Sequence, residues 1–152
     1  MANSEQEPVF KSPIQTVEYE ITQHLKGAEF GSPQLLAFGD VYQEDRLRRL
    51  WLHQSQDLVE SSPEDRPKSE SALRITELEM AIINRQIANR ETEVKGYGHH
   101  YLFFMDKWYH LMKACKDEIK ADNPKVTGAD IEKQAGSLFE EITYDIKSSF
   151  VD

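Results

Sequence analysis

The chain is 152 residues long, 39% hydrophobic and 30% charged, with a formal net charge of −9 and a single cysteine, Cys115. A chain of this length buries a real core, roughly 70% of its unfolded surface, and one so rich in charge folds as amphipathic elements rather than elements apolar all round. The acidic balance opposes direct nucleic-acid binding, which needs Lys and Arg against phosphates, and attraction to anionic membranes. One cysteine excludes an internal disulfide and suits a reducing, cytoplasmic setting.

Residues 1–11 read as a flexible tail, polar and acidic, without the basic and apolar regions of a signal peptide. No apolar run approaches the roughly 20 residues of a membrane span. Ser12-Pro13 is a helix start, a capping hydroxyl followed by proline at the first helical position. Ile14, Val17, Ile21 and Leu25 then recur at helical spacing until Gly27. Ser32-Pro33 repeats the start signal. A short turn over Gln34–Phe38 leads to Gly39-Asp40, with Asp40 as cap of a second helix over about 41–59. The alternative is one helix from Pro33 that tolerates Gly39 at a cost of about 1 kcal/mol. Leu47, Leu50, Trp51 and Leu58 mark its apolar face, and Arg46, Arg48 and Arg49 its opposite side.

Residues 61–70, with Pro63 and Pro67 among serines and charges, read as a linker. It divides an N-terminal helical pair, 12–60, from a C-terminal bundle, 71–152. The third helix is expected from Ser71 to about Lys95 on the stripe Leu73, Met80, Ile83, Ile87 and Val94, widened in its first half only by Ile75, Leu78 and Ile82. Gly96-Tyr97-Gly98 then marks a turn in preference to a soft point in one long helix. The fourth helix, about 99–121, is the most aromatic part of the chain. Tyr101, Phe104, Met105, Trp108, Leu111, Met112, Cys115 and Ile119 lie along one side, with Phe103 and Tyr109 beside it. Asp122-Asn123-Pro124 ends it, and Thr127 to Asp130 resembles a capping box. The last helix, about 128–150, carries Ile131, Ala135, Leu138, Ile142 and Ile146. The fold class is therefore all-α, an antiparallel bundle of about five helices: a C-terminal three-helix module plus an N-terminal pair.

Candidate chemistry is sparse. His99, Asp106 and His110 share a helix face at i, i+7 and i+11, and imidazole with carboxylate suits Zn or Fe. No HExxH or ExxH pattern supplies further ligands, so capping and surface hydrogen bonding is the preferred reading and no metal or cofactor is expected. Cys115 has Leu111 and Ile119 as its helical neighbours, which describes a small core residue rather than a nucleophile. The arginines Arg46, Arg48 and Arg49 could dock an acidic surface, but Glu44 and Asp45 favour pairing along the helix. Tyr101, Phe104, Trp108 and Tyr109 read first as core packing, then as core that also forms an interface, and last as the lining of a small-molecule pocket; with Trp51 they are interface candidates, since aromatic residues and Arg are enriched where proteins meet.

These features point to a non-enzymatic helical interaction protein: an assembly factor, adaptor or structural component. It binds another protein or itself as a homo-oligomer, a profile that suits a phage or bacterial accessory protein. Two other classes compete. One is an acidic inhibitor that occupies a partner's basic nucleic-acid-binding surface. The other is a helical metal-binding enzyme built on His99, Asp106 and His110.

Overall fold

The computed structural model describes residues 12–151, so the expected tail over 1–11 lies outside the described residues. They form five α-helices and no strand: α1 (Pro13–Leu25), α2 (Pro33–Glu60), α3 (Arg66–Glu93), α4 (Tyr97–Asp122) and α5 (Gly128–Val151). The fold is an all-α helical bundle. No helix among the described residues is long and apolar enough to cross a membrane.

The start signals act through their side chains. The Ser12 hydroxyl accepts from the Gln15 amide at 3.3 Å, Ser32 from Leu35 at 3.4 Å and Thr127 from Asp130 at 3.2 Å. Each answers one of the orphan donors at a helix N-terminus. The stops work equally locally. Gly27 and Gly96 hold φ of 78° and 85° after α1 and α3, in the left-handed region where a Cβ is penalised. The break at Gly96 makes the 94–96 segment a turn.

Two expected boundaries move. α2 runs unbroken from Pro33 through Gly39, so Asp40 is a buried residue inside it and no cap. The single-glycine cost is outweighed because Ala37, Phe38, Asp40 and Val41 are all buried by a continuous helix. α3 starts at Arg66, earlier than Ser71. Pro67 falls in its first turn, where a missing N–H costs nothing, and Pro63 sits in the preceding turn. Ser62 braces that turn: its hydroxyl donates to Asp65 Oδ2 at 3.1 Å and accepts from the Asp65 amide at 3.3 Å.

The described residues pack as two compact units. A terminal unit joins residues 12–28 to 105–151, and a central unit spans Glu29–Phe104. Their boundaries fall at 28/29 and 104/105, so the segment 61–70 lies within the central unit. Helix α4 supplies its first turns to the central unit and the remainder to the terminal unit.

In the terminal unit α1 packs on α5. Ile14, Val17, Ile21 and Leu25 are all buried, as are Trp108, Leu111, Ala114 and Cys115 from α4. Trp108 meets the Phe139 ring of α5 edge-on, with centroids 6.2 Å apart. Lys107 reaches Glu20 of α1 and Lys116 reaches Glu132 of α5, each at 3.0 Å. The α5 core is Ala135, Phe139, Thr143 and Ile146, while Ile131, Leu138 and Ile142 are only half-buried. Thr143 can be buried because its hydroxyl donates to the Phe139 carbonyl at 2.8 Å.

In the central unit α2 packs against α3. Leu47 from α2 and Thr76, Ile83 and Ile87 from α3 are buried, and Phe38 meets Phe104 edge-on at 5.5 Å.

Candidate functional site

The central unit holds α2 and α3 in one relative orientation through polar contacts at both ends of the hairpin. At one end the Asp40 carboxylate, 3% exposed, is fully engaged. It accepts from Gln86 Nε2 at 2.8 Å, from Arg90 Nη1 at 2.8 Å to both oxygens, and from the Tyr97 hydroxyl at 2.7 Å. One helical turn on, the Tyr101 hydroxyl donates to Glu44 Oε1 at 2.6 Å, and the Tyr97 and Tyr101 rings stack. Burial foremost, then the hydrogen bonds to Asp40 and Glu44, raises both phenols above their ordinary values, so each stays a donor. Further along, the Trp51 indole donates to Glu77 Oε2 at 3.2 Å. At the turn the Ser61 and Ser69 hydroxyls bond at 2.8 Å.

These contacts fix which way α3 faces. At 3.6 residues per turn, Thr76, Ile83 and Ile87 point to α2, and Ile75, Leu78 and Ile82 lie about a third of a turn round the helix. They are 57%, 59% and 68% exposed. Three large aliphatic side chains thus form a continuous exposed row at spacings of three and four on a firmly held helix. Scattered exposed apolar residues need no explanation, whereas these three lie together along one helix face.

No family model, no curated protein and no solved structure matches this chain.

Of the aromatic candidates, Tyr101, Phe104 and Trp108 are buried, Trp51 is half-buried, and Tyr109 is 67% exposed. Met105, expected along the packed side of α4, is 39% exposed instead. The arginines are engaged within their own helix: Arg49 Nε meets Asp45 at 2.9 Å and Arg48 lies 3.8 Å from Glu44, while Arg46 is exposed. Such i, i+4 pairs along a helix are worth about a few tenths of a kcal/mol.

His110 Nε2 lies 3.2 Å from Asp106 Oδ1, both about half exposed. His99 packs edge-on against His100. Among the described residues no group of three His, Cys, Asp or Glu side chains is placed to hold a metal ion. A shallow groove in the terminal unit brings Thr16, Glu20, His110, Lys113 and Asp117 together between α1 and α4. Its polar groups are of both signs, and Glu20 is already joined to Lys107. Cys115 is buried, and burial foremost, with Glu118 and Glu18 adding to it, pushes its thiol up to about 11. A thiol held protonated in this way is a poor nucleophile.

Sequence reasoning missed the Asp40 network as a set: Gln86, Arg90 and Tyr97 were not singled out, Asp40 was expected as a cap, and Tyr101 was expected only as an aromatic candidate. Their signal was present as three polar doublets at i, i+4, Asp40/Glu44, Gln86/Arg90 and Tyr97/Tyr101, one on each of three helices. Only tertiary pairing distinguishes such doublets from solvated faces.

Proposed function

We propose that this chain is a non-enzymatic helical interaction protein, an assembly factor, adaptor or structural component that works inside the cell by presenting one α3 face. The observation that carries this reading is the exposed row Ile75, Leu78 and Ile82 on a helix whose orientation is locked by Asp40 and Trp51. A helix so held gives up little entropy when it docks, and preorganisation of this kind favours binding. Binding rather than catalysis is further supported by the titratable groups. Burial keeps the Tyr97 and Tyr101 phenols and the Cys115 thiol in their protonated forms, as packing groups and hydrogen-bond donors rather than nucleophiles.

The test is capture from the native host at moderate salt with the wild-type chain and with Leu78→Asp, followed by binding of the purified components. Loss of the association in the variant, with circular dichroism unchanged, is expected. An association that ignores Leu78→Asp but falls steeply with added salt would instead point to the acidic surface of this −9 chain as the contact.

A further inference from the structure

The α3 row has the form of a short coiled-coil seam. Ser71, Ile75, Leu78 and Ile82 follow one another at spacings of four, three and four. In heptad terms Ile75 and Ile82 take the a positions and Leu78 the d position. That choice, β-branched at a and Leu at d, is the one that favours parallel two-stranded pairing. Arg74 then stands at g and Glu79 at e, flanking the row on either side. In a parallel in-register pair, a g residue faces the e residue five positions later on the other helix. Arg74 therefore faces the partner's Glu79, and the same contact recurs by symmetry.

Arg74 is free to make that contact: its side chain is 77% exposed and only loosely associated with Glu77, at 3.9 Å. An antiparallel pairing sets g beside g and e beside e, which forfeits the charge match. It also fails to align the apolar residues, since the alternation of a with d leaves at least one isoleucine against Ser71 or Arg85 of the other helix. Only parallel alignment places Ile75, Leu78 and Ile82 each against its own counterpart. The seam is bounded by Ser71 and then Lys68 on one side and by Arg85 on the other, each of which would meet its own copy in the core, so it is limited to three apolar layers.

We infer that a second copy of this chain occupies the Ile75–Leu78–Ile82 face, with the two α3 helices parallel and in register. Each α3 already packs on its own α2, so the pairing makes a four-helix core from two hairpins. The inference rests on reading this face as an interaction surface, and it names the occupant.

The test uses the full chain and sedimentation equilibrium over a range of concentrations. The wild type is expected to approach twice the mass of the chain, and Ile82→Asp to stay at one chain with unchanged circular dichroism. Arg74→Glu and Glu79→Arg each set like charges face to face twice, so each weakens pairing by about tenfold. Combining them restores the affinity to within about threefold of wild type. Ile82→Cys forms an interchain disulfide under mild oxidation, which only the parallel register allows.

A wild type that remains one chain at every concentration overturns the inference. So does a dimer indifferent to Ile82→Asp, a pair of reversals that does not compensate, or an Ile82→Cys chain that fails to cross-link. A single-chain protein that loses another purified partner on Leu78→Asp would overturn self-association alone and leave the interaction reading in place. Indifference of every association to Leu78→Asp would remove both.

Discussion

A carboxylate that is 3% exposed must have its oxygens answered by protein groups, and at Asp40 the answers come from α3 and α4: Gln86, Arg90 and Tyr97. Removing one partner of such a pair strands the other. Asp40→Ala is expected to cost about 3 kcal/mol, the lower end for a broken buried pair because Arg90 keeps 27% of its side chain in solvent. Urea denaturation measures it, and a cost below about 1 kcal/mol would mean that packing, not this carboxylate, orders the hairpin. In the terminal unit Glu18 behaves oppositely. Burial, with Asp145 adding to it, raises its carboxyl above the ordinary value of 4.5. The folded chain thus holds that proton more tightly than the unfolded chain. The stability it contributes is present below pH 4.5 and is lost as pH rises through the higher folded value. Glu18→Gln should therefore raise the melting temperature at neutral pH, with the gap closing as the pH falls toward 4.5. A gap that widens on acidification would show that the carboxylate is favourably paired in the fold.

At the scale of the element, most of the architecture was legible because helix ends are written locally. Ser12-Pro13, Ser32-Pro33 and Thr127 cap through their own side chains, and Gly96 ends α3 through its own backbone. The failures came where tertiary contacts outvote a local signal. Gly39 looked like a break, yet the buried Phe38, Asp40 and Val41 carry α2 through it. Pro67 looked like part of a linker, yet it lies in the first turn of α3. The candidate surface was half legible: Ile75, Leu78 and Ile82 stood out as extra width on the α3 stripe, but only the direction imposed by Trp51 and Asp40 shows that they face outward. The two glycines around the α3–α4 turn separate backbone from space. A Cβ at either Gly96 or Gly98 would meet nothing within 4 Å. Gly96 has φ of 85°, so Gly96→Ala should cost about 1–2 kcal/mol. Gly98 lies inside α4, so Gly98→Ala should be neutral or stabilising by up to about 1 kcal/mol. Thermal unfolding of the two variants compares them directly, and equal effects would mean that the turn is not set by the left-handed residue.

At the scale of the whole molecule, chain order and packing order differ. α1 and α2 follow one another in sequence, but α1 packs on α5 and α2 packs on α3. Neither compact unit is contained in the segment 71–152. The terminal unit needs residues 12–28, and the central unit needs Glu29 onward. This has a direct consequence for the fragment that the sequence suggested as a self-standing bundle. A chain of residues 70–152 lacks Ile14, Val17, Ile21 and Leu25, each at most 7% exposed in the intact protein. Fully burying one such side chain contributes about 1.5–3 kcal/mol. Four together rival the roughly 5–15 kcal/mol that stabilises a whole domain. The same fragment lacks Phe38, Asp40 and Leu47, so Phe104, Arg90 and Tyr97 lose the ring and the carboxylate that hold them. Fragment 70–152 is therefore expected to show reduced helical circular dichroism and no cooperative melt. Adding a separate peptide of residues 12–28 should recover part of the signal, through α1 docking on α5. A fragment that melts cooperatively with full helicity would mean that α3, α4 and α5 pack well enough among themselves for α1 and α2 to be peripheral.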